Sequence, residues 1–276
     1  MSVNSPDYLP NSAPNSTPNM SDAINTGISI DIAGGYLRYH DSEQAVIENL
    51  NVHIPAGKWT CILGQSGCGK SSLLRYLANL LTNKVQWSGD ITTQPPCDYQ
   101  HEIAYMAQQD LLMPWLSVLD NVMISTKFAG KLSKHDKKTQ LDKAHSLLQQ
   151  VGLADKGAYL PQQLSGGMRQ RVALARTLMQ DKPIVLMDEP FSALDAVTRY
   201  RLQNLAHQLL ENKTVVLITH DPQEALRLAK QLYIMQGKPA IATALPMPSS
   251  ETPRDFDAEC ALLQQQIMDR LEQDYA

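Results

Sequence analysis

Cysteine is scarce in this chain, and the four present (Cys61, Cys68, Cys97, Cys260) form no Cys-x-x-Cys pair. The seven histidines are equally scattered. No Cys/His group therefore has ligand spacing, which argues against a zinc module or a disulfide scaffold and for a reducing compartment. Long apolar runs are missing too. Ile184–Met187 and Val215–Ile218 are four residues each, against about 20 for a membrane-spanning helix. Any tie to a membrane is expected to come through another protein. Positive charge is not in excess: 24 Lys plus Arg stand against 28 Asp plus Glu, a formal net charge of −4. No nucleic-acid partner is expected from such a balance. Residues 1–26 lack the basic start and the apolar stretch of a secretory signal. Thirteen of the first 22 residues are Asn, Ser or Pro, which predicts a disordered tail without enough apolar surface to offset its ordering entropy.

What remains is ordinary globular material: 276 residues, 43% hydrophobic, long enough to bury roughly 70–75% of its unfolded surface. Gly27–Ile32 and Ala45–Ile54 alternate like antiparallel strands. Trp59–Leu63 is a short buried-strand candidate, and Ser71–Leu81 carries Leu73, Leu74, Leu77, Leu80 and Leu81 at helical spacing. From Ser117 to Gln180 the periodicity is helical throughout. Strand character returns at Ile184–Met187 and Val215–Thr219, flanking a helix marked by Leu202, Leu205, Ala206, Leu209 and Leu210. A last amphipathic helix, about Asp255–Gln273, repeats Leu263, Ile267 and Leu271 at four-residue spacing. The alternation predicts an α/β core interrupted by a helical subdomain.

The strongest local signal is Gly64-Gln65-Ser66-Gly67-Cys68-Gly69-Lys70-Ser71, which fits G-x-x-x-x-G-K-[ST] between a strand and a helix. Gly64, Gly67 and Gly69 are expected to let the backbone curl its N–H groups toward phosphate oxygens. The helix N-terminus adds partial positive charge. Lys70 would reach the β- and γ-phosphates, and the Ser71 hydroxyl would bind Mg²⁺. Gln65, Ser66, Cys68 and the following Ser72 complete the expected cradle. This loop alone does not separate a kinase, GTPase, helicase or transport ATPase.

Such a loop needs an acid for the metal. Ile184-Val185-Leu186-Met187-Asp188 is an apolar run ending in carboxylate, the form of a buried central strand whose tip meets the nucleotide. Asp188 is assigned to Mg²⁺ and Glu189 to general base for an attacking water. Leu164-Ser165-Gly166-Gly167-Met168-Arg169-Gln170-Arg171 opens a second helix with Ser and two Gly, another anion-binding N-terminus. One nucleotide does not need two such loops from one chain. Two chains placed head to tail would each cover the other's nucleotide with one.

Leu164–Arg171 resembles the signature of ATP-binding cassette (ABC) ATPases, and the family's other marks follow in order. Gln108, in Tyr105-Met106-Ala107-Gln108, resembles the Q-loop glutamine that contacts Mg²⁺ and the attacking water. Ser192-Ala193-Leu194-Asp195 resembles the D-loop at the dimer interface, with Asp195 among the nucleotide-contacting residues. His220, in Leu217-Ile218-Thr219-His220-Asp221, resembles the switch histidine that holds the γ-phosphate. The family also stacks an aromatic residue on adenine; Tyr39 is the first choice and Tyr36 the second. Gln65 stands where Pro is common and Met168 where Gln is common.

The resemblance covers about residues 27–240 and implies a P-loop NTPase (RecA-like) core with an antiparallel β subdomain and an inserted α-helical subdomain. The boundaries expected from it are a tail at 1–26, an ATPase domain at 27–245 with the insertion at about 113–178, and an extension at 246–276. One cassette without a membrane span implies the ATP-hydrolysing subunit of a bacterial importer, peripheral on the cytoplasmic face of the cell membrane. Its implied partners are a second copy of itself, permease subunits and, indirectly, a solute-binding protein. The alternative is a non-transport cassette that clamps a macromolecule. Asp110–Val122 resembles the Leu-Leu-Pro-Trp…Asp-Asn-Val stretch of nitrate, sulfonate, taurine and thiamine-precursor importer ATPases, as does Pro253-Arg254. Leu111–Trp115 is thus expected either to receive a permease helix or to pack in the helical subdomain, each for different side chains.

Overall fold

The computed structural model describes residues 27–127 and 133–273; the tail expected at 1–26 lies outside them. In chain order the elements are β1 (Ser29–Tyr39), β2 (Ile47–Ile54), β3 (Trp59–Gly64), α1 (Lys70–Leu77), β4 (Val85–Gln94), β5 (Ile103–Met106), α2 (Val118–Val122), α3 (Lys134–Gln150), α4 (Gly166–Met179), β6 (Ile184–Asp188), α5 (Ala196–Leu209), β7 (Thr214–Thr219), α6 (Pro222–Leu228), β8 (Gln231–Gln236), β9 (Ile241–Leu245) and α7 (Ala258–Gln273).

Two sheets carry the fold. One is antiparallel, in the order β2-β1-β4. The other runs β5-β6-β7-β3-β8-β9, parallel from β5 to β8 with β9 antiparallel at its edge. β3, β6 and β7 are buried at every position, which accounts for their unbroken apolar character. Their side chains still alternate between two cores. Cys61, Leu63, Val185, Met187, Val215 and Leu217 face the helical side. Ile62, Ile184, Leu186, Val216 and Ile218 face α1 and the antiparallel sheet. Each fully buried aliphatic side chain contributes about 1.5–3 kcal/mol.

The strands predicted around residue 30 and residue 50 exist, but β1 runs on to Tyr39 through an irregular register at Gly34–Gly35. The helix predicted over Ser71–Leu81 stops at Leu77. Asn79 takes φ 57°, leaving Leu80 half exposed while Leu81 returns to the core. The continuous helical periodicity of 117–180 resolves into α2, α3 and α4, each opened by a serine: Ser117, Ser133 and Ser165 accept hydrogen bonds from the backbone N–H groups of Asp120, Asp136 and Met168. Ser133 and Asp136 form a reciprocal capping box. The last helix begins at Ala258, three residues later than its pattern suggests. Among the described residues no helix is long and apolar enough to cross a membrane.

Candidate nucleotide site

The parallel strands all end on one side, and the phosphate loop, Gln108, Asp188, Glu189 and His220 follow or end strands there, at the carboxyl ends where α/β sheets bind ligands. β3 delivers the phosphate loop. Its glycines serve different ends. Gly67 and Gly69 adopt φ 84° and 109°, as expected of a curling backbone, and a Cβ on Gly69 would lie 2.6 Å from Val46 Cγ1. Gly64 does not have a positive φ; a Cβ there would lie 2.3 Å from the Met235 carbonyl oxygen of β8. It is required by the neighbouring strand, a correction to its assigned role in the curl.

Gly69 provides no side-chain cap for α1, so the first-turn N–H groups keep their free donor capacity for an anion. Lys70 is buried, with its Nζ donating to the carbonyls of Gly64 (2.7 Å) and Gln65 (2.6 Å). The loop is wrapped around its own ammonium group. It opens into a cleft of about 400 Å³, lined by Tyr39, Val46, Gln108, Glu189 and the loop from Ser66 to Ser72 apart from Cys68. Tyr39 ends β1 and its hydroxyl lies 3.0 Å from Ser72 Oγ. Tyr36 pairs with Ser88 of β4 and does not line this cleft. Val46 is a wall residue that sequence reasoning missed, since nothing distinguishes it from any strand-edge valine.

Adjacent strands bring three further side chains into contact. Gln108 follows β5, Glu189 follows β6 and His220 follows β7. Gln108 Nε2 donates to Glu189 Oε2 at 3.1 Å, and His220 Nδ1 lies 3.2 Å from Glu189 Oε1. Glu189 itself sits at φ 48°, a strained value for a residue with a side chain, of the kind that clusters at functional sites. Its backbone N–H is fixed on the Ile218 carbonyl.

Asp188 is almost fully buried, and neither carboxylate oxygen completes a hydrogen bond of good geometry. Burial pushes its pKa above the ordinary carboxylate value, offset in part by the nearby Ser71 hydroxyl and the Arg75 charge. A buried carboxylate without a well-formed hydrogen bond, beside the Ser71 hydroxyl, offers oxygen donors of the kind that suit Mg²⁺. Among the described residues no cluster of three His, Cys, Asp or Glu could hold a metal alone, so phosphate oxygens would have to complete the shell.

Other predicted residues lie elsewhere. Ser165, Gly166 and Gly167 form the N-terminus of α4 and line no part of this cleft; Ser165 Oγ accepts from Met168 N at 3.3 Å. Asp195 is the N-cap of α5, its carboxylate held below the usual range by the Thr198 N–H. Gln65 does not line the cleft either. Leu111 and Trp115 are 54% and 72% exposed while Leu112 is in the core, so packing in the helical subdomain holds for Leu112 and not for the other two.

The contacts that hold that segment leave no mark in its residue pattern. Buried Asn121 accepts from Met113 N and donates to the carbonyls of Met113, Leu116 and Ser117. From α4, Arg169 Nε reaches Asp110 Oδ2 at 2.8 Å, and Arg176 donates to the carbonyls of Asp110 and Leu111. Gln170 of the same helix donates to the Pro190 carbonyl beside Glu189.

Comparison with known proteins decides the family. The family model described as "ABC transporter" matches residues 47–192. The chain belongs to the ABC transporter family. The cassette is 44% identical over 232 residues to an uncharacterized ABC transporter ATP-binding protein of Haemophilus influenzae, covering 83% of this chain and 93% of the relative. It is 38% identical to an aliphatic sulfonates import ATP-binding protein of Mesorhizobium japonicum, covering 83% and 84%. Among solved structures it resembles a dimeric post-hydrolysis ATP-binding cassette bound to ADP and phosphate (TM-score 0.65, 28% identity), covering 82% of this chain and all of that one. The cassette is a P-loop ATPase.

Proposed function

We propose that this ATPase is the ATP-binding subunit of a bacterial importer, working as a head-to-tail pair of identical chains. The observation that carries this reading is the placement of Ser165–Gly167 at a helix N-terminus outside the cleft that holds Lys70, Gln108 and Glu189. A second copy would present that terminus to the open cleft, and two solved relatives are described as dimeric. The import role is supported by relatives named as aliphatic sulfonates import ATP-binding proteins.

Lys70 and the first-turn N–H groups of α1 hold the phosphates, with Tyr39 against the adenine. Ser71, Asp188 and Gln108 hold Mg²⁺, which neutralises charge on the phosphates when bound. Glu189 accepts the proton of the attacking water, and Gln108 and His220, already in contact with its carboxylate, orient water and the γ-phosphate. Ser165, Gly167 and Asp195 of the second chain close the site, so closure depends on ATP and hydrolysis reopens the pair. Permease subunits dock on Leu111 and Trp115 and hold the cassette at the cytoplasmic face of the membrane. A solute-binding protein supplies cargo on the far side.

Glu189→Gln tests the chemistry. It is expected to keep ATP binding, to lose hydrolysis by about 10²–10⁴-fold, and to elute as an ATP-dependent dimer. Retained turnover would remove Glu189 as the base.

A further inference from the structure

Gln65 sits at the heart of the phosphate-loop motif, yet its side chain is engaged outside the cleft. Its Nε2 donates to the backbone carbonyl of Leu271 at 3.3 Å, in the last turn of α7 and 206 residues away in sequence. Gln236 does the same from the next strand, with its Nε2 2.6 Å from the Arg270 carbonyl. The pairing of Gly64 with Met235 explains why the two act together, since both glutamines follow directly at the ends of adjacent parallel strands. The last carbonyls of a helix have no partner within it. Two side-chain amides from the strand ends satisfy two of them here.

α7 is a fixed support. Cys260, Leu263 and Ile267 bury one face of it. Upstream, buried Arg254 donates to the carbonyls of Leu226, Ala229 and Pro248, fastening the approach to α7 onto the end of α6. On the other side of the contact, the carbonyls of Gly64 and Gln65 are the two that receive Lys70 Nζ. A continuous set of contacts thus runs from the C-terminal helix through Gln65 to the phosphate-binding lysine.

We propose that Gln65 is a positioning residue acting through α7, and that the last turn of α7 sets the affinity of the phosphate loop for the polyphosphate of ATP. The proposal rests on this cleft being the ATP site. Anchoring the loop before ligand arrives lowers the ordering cost of binding. Gln65→Ala removes the amide and leaves the backbone carbonyl that receives Lys70. A chain ended after Met268 removes the Arg270 and Leu271 acceptors and keeps Cys260, Leu263 and Ile267.

Each change is expected to weaken ATP binding about 3–10-fold, the effect of one lost hydrogen bond, and to raise KM for ATP with kcat little changed. AMP, which lacks the β- and γ-phosphates, should show no such loss. The combined variant should bind no more weakly than the weaker single variant, because both remove one link. Multiplied effects, or wild-type affinity in the shortened chain, would overturn the proposal. Should the shortened chain unfold, Gln65→Ala and Gln236→Ala decide on the full chain: the first is expected to lower affinity, and the second to add less in its presence than alone. Fully independent effects overturn the proposal there. Failure of the wild-type chain to bind ATP would instead count against the cleft being the ATP site.

Discussion

Gly64 and Gly67 lie three residues apart and are glycine for unrelated reasons. At Gly64 any side chain meets the Met235 carbonyl at 2.3 Å, a backbone atom in a sheet that cannot step aside. At Gly67 there is open space, and only the φ of 84° resists a Cβ. Gly64→Ala should therefore cost more than Gly67→Ala in denaturant unfolding, about 3 kcal/mol or more against about 1 kcal/mol. Equal costs would mean that β8 yields. Glu189 takes a positive φ as Gly67 does, but with a side chain attached and so with strain, held there by its N–H on Ile218 and by the contacts of its carboxylate with Gln108 and His220.

Elements show how far the sequence could be followed. β3, β6 and β7 were legible because burial on both faces leaves an unbroken apolar run. The phosphate loop and the Asp188–Glu189 pair were legible because each stands where such a run ends. β4 was not, since its exposed edge alternates only between half-buried and exposed positions. β5 is four residues long, too short for any periodicity to declare itself. Contacts made to backbone carbonyls leave no trace in composition at all, and Gln65, Arg176 and Arg254 all work that way. Arg254 gives the sharpest test. Arg254→Met would strand the carbonyls of Leu226, Ala229 and Pro248 in a buried place, and should cost about 2–4 kcal/mol in denaturant unfolding. Arg270→Met, exposed on α7, should stay within about 0.5 kcal/mol.

At the scale of the whole molecule, the cleft at the strand ends and the N-terminus of α4 are separate features, since Ser165, Gly166 and Gly167 line no part of the cleft. Under the paired reading, a chain carrying Lys70→Ala keeps a sound signature and a chain carrying Ser165→Arg keeps a sound cleft. Each variant alone should be inactive. An equal mixture should recover up to about a quarter of the wild-type ATPase rate, because half of the randomly formed pairs contain one intact site out of two. No recovery would argue that each chain completes its own site. The clamp of Arg169 and Arg176 on Asp110 and Leu111 ties the segment that carries exposed Leu111 and Trp115 to α4.

The seat of α7 on Gln65 has a practical side. A bulky fluorophore attached in the last turn of α7 would stand one hydrogen bond away from the phosphate loop, so a label meant to report nucleotide binding without disturbing it belongs on another element.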